Sequence, residues 1–142
     1  MKKIVVIIIR NSNLNFFVHQ RKNDKKTFPN LFGLGAGGHI ELNETKEEAA
    51  IRELFEETGL KTIPKFIFEF TYKDNNEKYP LSVFELVTDN YIIPSENEWQ
   101  WSGWLSLEEV NKLSEDNKLC PDTNIFYKKY CAEFICIEKD IK

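Results

Sequence analysis

A chain of 142 residues, 42% hydrophobic and 13% aromatic, holds enough apolar material for one well-buried core and too little for two ordinary domains, so a single domain over residues 1–142 is expected. The net charge is −4, and residues 38–60 carry seven acids against two bases, a local −5 that leaves +1 on the rest. Acid gathered in one segment disfavours an unaided grip on a nucleic-acid polymer and suits the collection of divalent cations.

In chain order, "KIVVIIIR" is a continuous β-branched run and predicts a buried strand. It runs straight into Arg10 and Asn11 instead of a small-residue cleavage site, and no apolar stretch approaches the roughly 18 residues of a membrane span, so neither a signal peptide nor a membrane partner is expected. The turn "NSNLN" and the strand "FFVHQR" complete a predicted hairpin. "KNDKKTFPNLFGLGAGG" mixes charge, proline and glycine, which predicts a long loop leading into a short strand that ends at Gly37 and Gly38. A helix follows, from about Lys46 to Thr58. "FIFEFTY", the polar turn "KDNNEK" and "YPLSVFELVT" predict a second hairpin. "ENEWQWSGWLSLEEV" reads as an extended segment and a short helix, and "PDTNIFYKKYCAEFICIE" as an amphipathic helix with Pro121 in its opening turn. Cys120, Cys131 and Cys136 are odd in number and lack C-x-x-C spacing, which reads as reduced thiols in a cytoplasmic protein. The elements have no regular βαβ period and "GLGAGG" lacks the dinucleotide spacing, so the expected class is α/β with a mixed sheet and helices on its faces.

The central helix poses a physical problem. Thr45 and Glu48 form a capping box at its start, and Gly59 supplies its stop. At 100° per residue, Ile51, Leu54 and Phe55 share an arc expected to face the core, while Glu53, Glu56 and Glu57 share another, with Ala49 and Ala50 leaving room beside it. Like-charged pairs at these spacings each cost a helix about 0.2–0.5 kcal/mol, and carboxylates near the C-terminus oppose the dipole. Either the three acids converge on a hard cation such as Mg²⁺ or Mn²⁺, or they form a solvated face with Arg52 as counter-charge.

The stretch from Gly38 to Leu60 resembles the signature box of the Nudix hydrolases, G-x5-E-x7-R-E-U-x-E-E-x-G-U, where U is aliphatic. Gly38, Glu44, Arg52, Glu53, Leu54, Glu56, Glu57, Gly59 and Leu60 occupy its specified positions. The resemblance implies a Nudix fold, an α/β/α sandwich around a mixed β-sheet. It implies Glu53, Glu56 and Glu57 as ligands of Mg²⁺ or Mn²⁺, joined by the backbone carbonyl of Gly37 or Gly38. Arg52 would hold the glutamates by ion pairing and Glu44 would help fix the diphosphate-binding loop. The implied reaction is metal-dependent hydrolysis of a small-molecule diphosphate, a nucleoside diphosphate linked to another moiety, by attack of an activated water.

A base must take the proton from that water. The candidates are Glu53 within the box and Glu96 or Glu98 in "SENEWQW", with Glu98 favoured because it precedes an aromatic segment that should return to the sheet near the box. Arg21, Lys22, Lys25 and Lys26 are candidates to hold phosphates, with Arg21 foremost, and Phe28, Phe32, Trp99 and Trp101 to stack on a base. "FPNLFGLGAGGHIE" is also similar, more loosely, to the branch resembling isopentenyl-diphosphate isomerase. Those isomerases use a cysteine before the box, and residues 27–40 contain none. A Nudix-like nucleotide sensor without turnover is the other alternative, although such proteins usually lose box glutamates. Family members of this size are often homodimers, and no segment presents an obvious dimer face.

Overall fold

The computed structural model describes residues 2–135, so Cys136 lies outside the described residues. In chain order the elements are β1 (Ile4–Arg10), β2 (Phe16–Arg21), β3 (Phe32–Leu34), β4 (Ala36–His39), α1 (Lys46–Thr58), β5 (Lys65–Lys73), β6 (Lys78–Val87), β7 (Trp99–Leu105), α2 (Leu107–Glu115) and α3 (Pro121–Tyr130), with a wider π turn over Cys131–Ile135. No helix among the described residues is long and apolar enough to cross a membrane.

All seven strands join one mixed sheet. β1 runs parallel to β6, from Ile4 opposite Leu81 to Arg10 opposite Val87, and β5 pairs antiparallel with β6 in the expected second hairpin. The first hairpin differs from expectation. β1 and β2 pair only where Arg10 meets Phe16, because β4 occupies the rest of that edge of β1 from Ile4 to Ile7. β2 in turn pairs with β3 and β7. The predicted short strand before the helix is therefore two strands, and Gly35 is where the chain leaves β2 for β1. Its N–H donates to the Phe17 carbonyl at 2.8 Å, its φ is +62°, and a Cβ would fall 1.7 Å from the Ile7 carbonyl oxygen. Only glycine fits that crossing without moving the backbone.

Helices cover both faces of the sheet in an α/β/α arrangement. Along β1 the pleat sends Val5, Ile7 and Ile9 to the α1 side and Ile8 to the other, which is why a two-faced strand reads as an unbroken apolar run. Beneath α3 lie Phe16, Val18, Leu81 and Val83, packed against Phe126, Tyr127 and Tyr130. α2 and α3 start as expected, α2 with a Ser106–Glu109 capping box and α3 with Pro121 in its first turn.

α1 has the expected bounds, with both halves of its capping box formed and Gly59 in the left-handed conformation. Its buried arc is not the expected one. Leu54 is fully buried, contributing about 2 kcal/mol of apolar transfer, but Ile51 and Phe55 are 38% and 46% exposed. Ala49, Ala50, Glu57 and Thr58 take the inward positions instead. The reason is packing: the small Ala49 and Ala50 sit in one core with Val5, Ile7 and Ile9 of β1, and Gly38 admits the Glu53 carboxylate to the backbone of β4. The apolar arc at Ile51 and Phe55 is left outside, with the Lys61 ammonium 5.4 Å from the Phe55 ring centroid.

Gly35→Ala is expected to cost about 3 kcal/mol or more, from left-handed strain plus displacement of the Ile7 carbonyl. Urea unfolding, followed by circular dichroism, measures it.

Candidate active site

The roll of α1 sets its acidic face against the backbone of β4. The Gly37 N–H donates to Glu57 Oε1 at 2.7 Å, and a Cβ on Gly38 would fall 2.5 Å from the carboxyl carbon of Glu53. A side chain at 38 would have to displace the Glu53 carboxylate from this position. Glu57 is only 8% exposed, and burial pushes its carboxyl up to about 8 even though the Gly37 N–H favours the charged form. Burial raises Glu53 as well, against the opposing pull of Arg52.

Arg52 organises the remaining acids. Its Nε and Nη2 clasp Glu44 at 2.7 and 2.9 Å, its Nη1 donates to Glu53 at 2.8 Å and Glu56 at 3.3 Å, and Nη2 also reaches the His39 carbonyl at 2.9 Å. The forked guanidinium can satisfy this many acceptors at once, where an ammonium would not. Hydrogen bonding to Arg52, helped by the Glu41 N–H, holds Glu44 down to about 2, and Glu44 in turn raises the guanidinium. The loop from His39 to Thr45 is thereby tied to the second turn of α1.

The expected metal ligands share one helix face, with the Gly37 and Gly38 backbone beside them. Their carboxylates do not converge as they stand: Glu53 and Glu56 turn to Arg52 while Glu57 turns to Gly37, and no three acid, histidine or cysteine side chains among the described residues form a metal-binding cluster. The donor set nevertheless fits a hard divalent cation. It is all oxygen, it is backed by glycines that admit the carboxylates to the backbone, and two of its members are raised by burial in the absence of added positive charge.

A cavity of about 390 Å³ opens beside this face. Glu57, Gly37 and Gly38 line one part of it and Arg21, Lys25 and Glu98 another. The Arg21 Nε donates to the Thr27 carbonyl at 2.9 Å, and the Lys25 ammonium pairs with Glu98 at 2.8 Å. Glu53, Glu56, Arg52 and Glu44 stand outside its lining. Of the candidate base-stacking aromatics, Phe28 and Trp99 line the cavity, whereas Phe32 and Trp101 pack edge to face on each other at 5.9 Å and do not. Glu96, Lys22 and Lys26 are also absent from the lining.

Several lining residues were not singled out in the sequence. His19 stacks on Trp99, and burial lowers its imidazole to about 4, so it is neutral at pH 7. Tyr79 donates to Asp122 at 2.9 Å, and both line the cavity together with Lys2. His19 and Tyr79 sit in strands with no local feature marking them, and Asp122 after Pro121 reads as an ordinary first-turn acid.

Comparison with known proteins identifies the family. The model of the family described as NUDIX domain matches residues 1–125. The 8-oxo-dGTP diphosphatase of Escherichia coli is 36% identical over 118 residues, covering 78% of this chain and 86% of that protein. An uncharacterised Nudix hydrolase of Streptomyces coelicolor is 28% identical over 123 residues, 84% of this chain and 68% of that protein. The crystal structure of a MutT protein from Methanosarcina mazei matches with a TM-score of 0.79 at 24% identity, covering 93% of this chain and 94% of that one, which is a likeness of fold.

Glu57 has a pH consequence with a definite sign. Its folded-state carboxyl lies above the ordinary 4.5, so the folded state holds more protons than the unfolded state between pH 4.5 and about 8. The stabilisation is complete below pH 4.5 and is lost as pH rises through 8. Without divalent cations, the urea midpoint of wild type should fall over that window at fixed ionic strength, and Glu57→Gln should flatten the fall.

Proposed function

The chain belongs to the NUDIX domain family, and from that premise we propose that it is a metal-dependent pyrophosphohydrolase of a nucleoside diphosphate linked to another moiety. Nudix hydrolases act on phosphorus-containing anhydrides, generally with divalent metals, and this chain is one of them. The proposal adds Mg²⁺ or Mn²⁺ as the ion, the nucleoside class of substrate and the residue roles, in one catalytic domain over residues 1–142. The observation that carries it is the juxtaposition of Glu57, Gly37 and Gly38 with Arg21 and Glu98 around one cavity, while Glu53 and Glu56 stand on the same helix face as Glu57.

Glu53, Glu56, Glu57 and a backbone carbonyl of Gly37 or Gly38 would hold the cation. When bound, it supplies charge neutralisation at the phosphate oxygens and a lowered pKa for water. Glu98 takes the proton from the attacking water, whose oxygen forms the new bond to phosphorus as the anhydride oxygen leaves with the other phosphate. Arg21 offsets charge on the phosphates from across the cavity. Arg52 keeps the glutamates and the Glu44 loop in register without touching the substrate. The 8-oxo-dGTP diphosphatase relative puts oxidised and ordinary nucleoside triphosphates first on a substrate panel, ahead of ADP-ribose, nucleotide sugars and dinucleoside polyphosphates.

Phosphate release across that panel, with Mg²⁺ or Mn²⁺ and a coupling phosphatase, should show metal-dependent turnover of one class well above the others. Glu56→Gln and Glu57→Gln should each lower kcat by about a hundredfold or more with the fold retained. Silence across the panel with metal binding intact would favour the nucleotide-sensor alternative, and rearrangement of isopentenyl diphosphate the isomerase one. As a binding test independent of turnover, millimolar Mg²⁺ or Mn²⁺ should raise the Tm of wild type and leave the Glu53→Gln, Glu56→Gln, Glu57→Gln triple variant unmoved.

A further inference from the structure

Glu98 immediately precedes Trp99, so whatever anchors that indole helps fix the backbone from which the carboxylate springs. Trp99 is buried, its ring lies parallel to the His19 imidazole with centroids 4.6 Å apart and planes 9° from parallel, and the Phe17 ring centroid is 5.8 Å away. The His19 Nδ1 is 2.7 Å from the Gly35 carbonyl oxygen. A carbonyl can only accept, so Nδ1 carries the proton of the neutral ring. Space for the ring depends on Gly33 opposite it on β3, where a Cβ would fall 2.5 Å from Nε2. Gly35 is two residues from Gly37, whose N–H holds Glu57.

One imidazole thus joins the strand crossing that carries Glu57's partner to the aromatic ring adjoining Glu98. We propose that His19 is a positioning residue that sets the spacing of Glu98 from the Gly37–Glu57 pair, acting through the stacked Trp99 ring and the Gly35 carbonyl. The inference rests on the reading of Glu98 as the base. The other tether of Glu98, its ion pair with Lys25, is half open to solvent and of a kind that holds a side chain weakly. The backbone beneath it is held by the turn bonds to the Ser95 carbonyl and by the pairing of Trp99 with Arg21, and the aromatic stack adds a side-chain anchor to these.

Three substitutions divide the device. His19→Phe keeps a ring for Trp99 and loses the Gly35 bond, His19→Asn keeps a donor for Gly35 and loses the stack, and His19→Ala loses both. With the most active substrate of the panel, His19→Ala should lower kcat by about ten- to a hundredfold with KM within about twofold, and the other two should fall between it and wild type. In a Glu98→Gln background His19→Ala should bring no further loss, because it acts through that carboxylate. Multiplicative losses in the double variant, or a raised KM with kcat intact, would overturn the proposal. Full activity in Glu98→Gln alone would remove the base assignment and this proposal with it, while leaving metal-dependent hydrolysis standing. Amide hydrogen exchange decides independently of turnover. His19→Ala should speed exchange of the Trp99 N–H, which donates to the Ser95 carbonyl at 3.0 Å, and leave the amide of buried Ala49, which donates to the Thr45 carbonyl at 3.0 Å, protected. Unchanged protection at Trp99 would overturn the proposal even if no substrate were turned over.

Discussion

The contact between the acidic arc of α1 and the side-chain-free backbone of β4 governs the rest of the site. A helix ordinarily turns its largest apolar residues inward, and α1 had Ile51 and Phe55 available. It instead buries Ala49, Ala50, Leu54, Glu57 and Thr58, and the two small alanines, packed with Val5, Ile7 and Ile9, let the helix lie close to the sheet. That approach puts Glu57 within hydrogen-bonding distance of a backbone amide and Glu53 against Gly38. Any side chain at Gly38 would have to displace the Glu53 carboxylate.

The electrostatic consequence is a helix whose local energetics are poor. Three carboxylates repel one another near a C-terminus of unfavourable dipole, and burial penalises two of them further. Arg52 offsets part of this through its fork to Glu44, Glu53 and Glu56, and its bond to the His39 carbonyl converts the same charge into a brace for the loop. What remains uncompensated is concentrated at Glu57, which no cationic side chain reaches in this network. Burial beside the cavity answers that lack by holding the Glu57 carboxyl protonated up to about pH 8.

The split in the sheet makes the second contribution. Because β4 displaces β2 from the edge of β1, the chain between β3 and β4 must cross from one strand to the other, and Gly35 makes that crossing. The cavity draws its walls from both sides of the divide: Ile4, Val6 and Gly37 from the β1–β4 side, His19, Arg21 and Trp99 from the β2–β7 side.

The sequence by itself determined the order of elements apart from the division of one expected strand into β3 and β4, the limits and caps of α1, the mixed α/β class and the family, because each of these rests on local rules or on a fixed register of residues from Gly38 to Leu60. Thr45, Glu48 and Gly59 act within a few residues of themselves and need no distant partner to be read. The tertiary structure decided which arc of α1 faces inward, since periodicity ranks apolar faces but cannot weigh the fit of small alanines against β1 or of Glu53 against Gly38 on another element. It also decided that β4 takes the edge of β1, that Trp101 packs on Phe32 away from the cavity, and that His19, Tyr79 and Asp122 line it. These are contacts between residues far apart in the chain, 20 apart for Gly37 and Glu57 and 43 for Tyr79 and Asp122, and no local pattern encodes them because the energy that selects them, close packing and burial, exists only once the segments have met.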